Sequence, residues 1–141
     1  MPASISNFPS LNRLNCNHNE IVEIDAAIAS LQDIEFLSLY NNRLTTVPRG
    51  VYLLRGLKII DLYFNQIDSL TDDIANWRSL EILFVAHNKL FSLPDTLSSM
   101  EKLNELYAYD NRLTHLPRQL ARLKDLKVLR GQSKYAKGTS S

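Results

Sequence analysis

At 141 residues the chain has the length of one domain, and 45% of it is hydrophobic, enough for a core. A net charge of +1 excludes the strong overall field that gathers a protein onto nucleic acid or an anionic membrane. No apolar run approaches the roughly 18–20 residues that span a bilayer, and the single cysteine excludes an internal disulfide. Residues 1–10 lack the basic segment and apolar stretch of a secretory signal, so a reducing, cytoplasmic setting is expected.

In chain order, Ile5, Phe8 and Leu11 carry the spacing of Ile28, Leu31 and Ile34. Residues 1–10 are therefore predicted to be a half-coil that closes the N-terminal end. A repeat follows. Six hydrophobic cassettes begin at Leu11, Ile34, Leu57, Leu80, Leu103 and Leu126, each 23 residues after the last. Five of them read LNRLNCNHNEI, IEFLSLYNNRL, LKIIDLYFNQI, LEILFVAHNKL and LNELYAYDNRL; the sixth decays after LKVLRG. A period of this length is the mark of a stacked-coil solenoid. Gly131 falls on an inward place and Lys134 replaces an asparagine, so the repeat domain is predicted over 11–131, with 132–141 a flexible polar tail.

Within each cassette the fourth and sixth places point inward: Leu14 and Cys16, Leu37 and Leu39, Ile60 and Leu62, Leu83 and Val85, Leu106 and Ala108. Alternation with period two predicts a short strand with one buried and one open face. After each strand come two further inward places, such as Leu44 and Val47. Apolar pairs spaced by three follow, such as Val51 and Leu54, or Ile74 and Trp77. That spacing predicts a short helix or 3-10 turn on the convex side. Pro48, Pro94 and Pro117 stand just before it, where a missing N–H costs little.

Asn19, Asn42, Asn65, Asn88 and Asn111 hold the turn after each strand. Such a turn leaves inward-facing backbone groups without a ladder partner, which are costly to bury bare. An amide on a short stem can satisfy both its own coil and the next. These five are predicted to form a structural ladder.

The pattern Leu-x-x-Leu-x-Leu-x-x-Asn-x-Leu resembles the leucine-rich repeat family over about residues 5–131. The resemblance implies an α/β solenoid: a right-handed horseshoe with a concave parallel sheet of about six short strands and convex helical or 3-10 segments. Thr46-Val47-Pro48, Ser92-Leu93-Pro94 and His115-Leu116-Pro117 resemble the intracellular Ras-suppressor and Ras-scaffold branch. The same repeat class occurs in effectors that bacterial pathogens secrete into host cells. Members of both kinds are similar in being binding modules whose partners commonly meet the concave face. Asp25 and Thr71 depart from the pattern by replacing the proline. The cysteine-rich caps of secreted members are missing, which again implies the cytoplasm, or a host cytosol for an effector.

The places left over form the concave face. The third gives Arg13, Phe36, Ile59, Ile82, Glu105 and Val128; the fifth, Asn15, Ser38, Asp61, Phe84, Tyr107 and Arg130. The seventh gives Asn17, Tyr40, Tyr63, Ala86, Tyr109 and Gln132; the eighth, His18, Asn41, Phe64, His87, Asp110 and Ser133. Seven of the twelve aromatic residues (Phe36, Tyr40, Tyr63, Phe64, Phe84, Tyr107 and Tyr109) thus share one open face. Strands about 4.8 Å apart make them a continuous strip. Rigid rings with polar tips suit a protein-binding centre, although cross-strand pairs also stiffen a sheet. Arg43, Lys89 and Arg112 line one margin, with Asp61 and Asp110 inside it. The candidate partner-binding set is Phe36, Tyr40, Asp61, Tyr63, Phe64, Phe84, His87, Tyr107, Tyr109, Asp110, Arg43 and Arg112.

Charge is uneven along the axis. Residues 14–42 carry five acids and no Lys or Arg, whereas 118–137 are strongly basic. Charged stack ends prevent further coil addition, and that reading is preferred to a nucleic-acid or acidic-lipid contact. His87, Asp110 and Ser133 share the eighth place, but a hydrolytic triad needs the histidine in the middle. Cys16 points inward while His18 points out, so no thiolate pair forms. His18 and His87 stand about 14 Å apart, too far to share a metal. No catalytic, cofactor or metal residues are assigned. The chain reads as a monomeric, non-enzymatic protein-interaction module that binds a protein or peptide on its concave face, in a setting the resemblance implies is small-GTPase signalling. The alternatives are an assembly subunit contacting through its charged ends, or a host-directed bacterial effector.

Overall fold

The computed structural model describes residues 3–8, 10–117, 120 and 125–126. Six parallel strands pair strictly in chain order: β1 (Arg13–Asn15), β2 (Phe36–Ser38), β3 (Ile59–Asp61), β4 (Ile82–Phe84), β5 (Glu105–Tyr107) and β6 (Asp125–Leu126). From β1 to β5 every register partner lies 23 residues on, as in Leu14↔Leu37, Leu37↔Ile60, Ile60↔Leu83 and Leu83↔Leu106. The repeat period has become the sheet register.

The last pairing departs from the period. Leu106 meets Leu126, not the residue 23 further on, so β6 enters three residues early. In the sequence the sixth cassette also departs from the pattern, with Lys134 at the place of the ladder asparagine. Val128, Arg130, Gln132, Ser133, the remainder of the basic stretch and the tail lie outside the described residues.

The return segments are mostly 3-10 turns, at Ala3–Asn7, Ala26–Ser30, Asp72–Asn76 and Asp95–Ser99; Arg49–Tyr52 instead forms one α-helical turn, α1. Pro48 and Pro94 occupy the caps before two of them. Where the proline is missing, a side chain replaces it as cap. Asp25 Oδ1 accepts from Ala27 N at 2.8 Å and Thr71 Oγ1 from Asp73 N at 3.2 Å. Both residues are favoured caps because a short oxygen-bearing side chain satisfies an orphan N–H.

Between sheet and return segments lies one apolar column. Leu37, Leu39, Ile60, Leu62, Leu83, Val85, Leu106 and Ala108 are buried from the strands, and Ile28, Leu31, Val51, Leu54, Ile74, Trp77, Leu97 and Met100 from the opposite side. Leu14, Cys16 and Ile21 are only half-buried, because no described strand pairs with β1 on its outer side. The half-coil at Ala3–Asn7 packs on Ala26–Ser30 and repeats its bonds, with Phe8 N donating to Ile5 O and Leu11 N to Phe8 O, each at 3.1 Å. Phe8 itself is 61% exposed, although its spacing matches core Leu31. No described coil stands beyond it to cover the ring. No described helix is long and apolar enough to cross a membrane.

Asn42, Asn65, Asn88 and Asn111 form the ladder, each nearly buried. Asn65 is representative: Oδ1 accepts from Leu44 N at 3.0 Å, while Nδ2 donates to Leu39 O of the preceding coil at 2.9 Å and Leu62 O of its own at 3.2 Å. Asn19 departs from the prediction. It is exposed and donates to Asn17 O of its own coil, with no described turn of an earlier coil within its reach.

Candidate functional site

The concave face is positioned by two devices. The pleat puts third and fifth places on the open side. A turn then holds the eighth place in the left-handed region in every coil: φ is 56° at His18, 59° at Asn41, 59° at Phe64, 58° at His87 and 54° at Asp110. Asparagine and aspartate tolerate that conformation; phenylalanine pays for it with strain. The turn lifts the side chain up from the sheet, so Phe64 and His87 rise beside the seventh-place tyrosines. Only the occasional Asn or Asp at this place signals the turn in the sequence.

The rings form one contact network. His18 meets Tyr40 edge-on at 5.2 Å between centroids, Tyr40 meets Phe64 at 5.5 Å, and Phe64 stacks on His87 at 4.1 Å. Tyr63 stands at the centre, edge-on to Phe84 at 5.2 Å, His87 at 5.9 Å and Tyr109 at 6.0 Å. Phe84 stacks on Tyr107 at 4.9 Å. Tyr63 and Tyr109 belong to coils two apart, where backbones are separated by roughly 9–10 Å. They meet because Ala86, between them, is small; the rings roof it over and it is fully buried.

Three expectations change in detail. Phe36 makes no ring contact with the others, and the Arg13 guanidinium lies 4.1 Å from its centroid in a cation–π arrangement. Ser38, placed on the open face, is 1% exposed, and its hydroxyl donates to Asn17 Oδ1. Ala86 is covered as described. Conversely, His18 joins the strip beside the expected His87, although it was not among the candidates. Its coil carries Asn15 and Asn17 in place of rings, so nothing in that cassette marks the imidazole as part of the strip.

The polar candidates divide into paired and unpaired. His87 Nδ1 and Asp110 Oδ2, at the eighth place of successive coils, are 2.5 Å apart. Arg43 bonds Glu20 at 3.0 Å, and Arg112 is exposed on the same margin. Tyr107 donates its hydroxyl to Glu105 at 2.6 Å. Asp61 accepts from Tyr63 N at 3.0 Å. Ion pairs among the described residues join Arg43 to Glu20, Lys58 to Glu35 and His87 to Asp110, and Asp61 is in none of them. Burial pushes the Asp61 carboxyl above its ordinary range, against the pull of the Tyr63 N–H. Burial also raises the Tyr63 phenol, helped by its hydrogen bond to Tyr109 and the nearby Asp61. Cys16 is raised by burial too. It lies on the core side of the sheet, apart from the strip.

In-register parallel strands on a 23-residue period, an asparagine ladder and 3-10 returns define the architecture, and the chain belongs to the leucine-rich repeat family. A model of a leucine-rich repeat region matches residues 1–140. A leucine-rich repeat protein of Leptospira interrogans is similar in structure, with 31% identity and a TM-score of 0.84 over 97% of this chain and 37% of that protein. Internalin C2 of Listeria monocytogenes is similar at 25% identity, TM-score 0.77, over 89% of this chain and 53% of that one. A plant peptide hormone receptor, RGFR1 in complex with RGF2, shares the fold at 24% identity and TM-score 0.78, over 89% of this chain and 21% of the receptor. The chain thus spans between about a fifth and a half of these proteins' lengths. No curated protein sequence matches it significantly.

Proposed function

We propose that the chain is a protein-interaction module whose concave ring strip docks a protein or peptide segment, with Arg43 and Arg112 at its margin. The observation that carries this reading is Phe64. A bulky ring, 43% exposed, is held at φ 59° where the neighbouring coils use Asn41 and, two coils on, Asp110. Left-handed backbone costs a non-glycine residue about 1–2 kcal/mol, and stacking on His87 returns about 0.5–1.5 kcal/mol. Folding gains little from such a residue, so a binding role accounts for it better. The plant receptor solved with RGF2 supports peptide recognition by this architecture.

The test replaces Tyr63→Ala and Tyr107→Ala together and repeats capture of partners from lysate of the native source. Loss of the captured proteins with the fold intact is expected; unchanged capture of all of them defeats the reading. The 23-residue period and the Leu-Pro turns support the intracellular Ras-suppressor-like class and its small-GTPase setting. The likeness to Leptospira and Listeria proteins supports the bacterial, host-directed alternative. Contact through the acidic end is weakened as a reading, because Glu20 and Glu35 pair within the stack with Arg43 and Lys58.

A further inference from the structure

We propose that Asp61 is the receiving point for an arginine or lysine side chain of the docked segment, an inference that rests on the docking reading above. Asp61 lies on the floor of the hollow in β3, in register with Ser38 on one side and Phe84 on the other. It accepts one backbone bond, from Tyr63 N, and no described cation pairs with it. A half-buried carboxylate has lost part of its hydration without the cation that would restore it. The carboxylates that are in ion pairs, Glu20, Glu35 and Asp110, are exposed. Of the two floor carboxylates, Glu105 takes the Tyr107 hydroxyl and Asp61 a backbone N–H, which leaves Asp61 open to a guest.

The surroundings fit a long cationic side chain. Tyr63 and Phe84 meet edge-on at 5.2 Å, and Phe84 stacks on Tyr107, so ring surface borders the carboxylate where a cation is attracted to it. Ile59 and Ile82, half-buried in the same sheet, give the aliphatic stem an apolar bed. Charge on the floor selects the same sign. Glu105 is a second acid on this face, and Arg13, at the N-terminal edge of the sheet, is held over Phe36. Arg43, Lys89 and Arg112 belong to the turn margin beyond the strand ends, so the strand floor itself carries acids.

The test is an amide-resolved NMR titration with N-acetyl-arginine methylamide, and with the equally shaped but neutral N-acetyl-citrulline methylamide. The arginine compound is expected to shift the Ser38, Asp61, Tyr63, Phe84 and Tyr107 amides and to saturate about fivefold more tightly than citrulline, the scale of a partly exposed charge pair. Asp61→Asn, which keeps the acceptor for Tyr63 N, is expected to bring arginine down to the citrulline level. Equal binding of the two compounds, or arginine binding indifferent to Asp61→Asn, overturns the inference and leaves concave docking standing. Failure of both compounds to shift this face overturns it as well, while capture by the Tyr63→Ala/Tyr107→Ala protein decides the docking reading separately.

Discussion

The ring of Phe64 lies flat on the imidazole of His87, centroids 4.1 Å apart and planes within 11° of each other, although both residues sit in left-handed backbone. The stack ties the third coil to the fourth above the sheet, and it sets strain against contact. Phe64→Asn relieves the strain and loses the stack, so unfolding in urea should change by less than about 1 kcal/mol. Phe64→Val loses the stack and leaves a β-branched residue in the worst backbone for it, and should cost about 2 kcal/mol or more. Equal losses for both variants would show that the backbone carries no such strain.

The ladder predicts a gradient along the stack. Asn65→Ala strips partners from Leu44 N, Leu39 O and Leu62 O, and leaving such groups buried and bare should cost about 3 kcal/mol or more. Asn19→Ala removes one exposed bond and should cost less than about 0.5 kcal/mol. Chemical denaturation of the two variants measures the difference directly.

Gly50 predicts a sign. Alanine is favoured over glycine in a helical turn by about 0.5–1 kcal/mol, and Gly50 lies in α1 with ordinary backbone. Yet a Cβ there would come within 2.8 Å of Ile28 Cγ2 and 3.3 Å of Ala26 O, from the coil beneath. Gly50→Ala should therefore destabilise by about 1–3 kcal/mol, because the neighbour is a packed β-branched side chain. A stabilised variant would mean that the two coils are not so close.

Asp61 predicts a pH dependence. Its folded pKa is raised, so ionising it costs the native state more than the unfolded one. Its favourable contribution is therefore complete below the unfolded carboxylate range and lost as pH rises through the folded value. Asp61→Asn should melt at higher temperature than the parent at neutral pH, and the gap should close as the solution is acidified toward the ordinary aspartate range. A gap that widens on acidification would reverse the sign of the shift.

The period carried most of this fold. Because consecutive copies are in phase, one cassette fixes register, inward places and ladder for all of them, and β1 to β5 follow it without slip. What the cassette leaves open depends on neighbours across coils. The burial of Ser38 and Ala86 comes from what stands beside them, as does the stack of Tyr52 on Trp77 at 5.2 Å, with Tyr52 taking a bond from Thr71 N. The left-handed eighth place was illegible because Phe64 and His87 mask the Asn and Asp that would announce it. Toward the ends the regularity changes: Phe8 and Asn19 have no described coil before them, and β6 pairs three residues early.

Photo-crosslinking from the two faces tests the docking claim most directly. A photoreactive phenylalanine derivative replaces Phe84, on the floor of the strip, or Leu53, exposed on the return side, and each protein is irradiated in lysate of its native source. Discrete protein adducts from position 84 and none from position 53 are predicted. Adducts from position 53 with none from position 84 would place the partner on the other side of the solenoid and contradict the account.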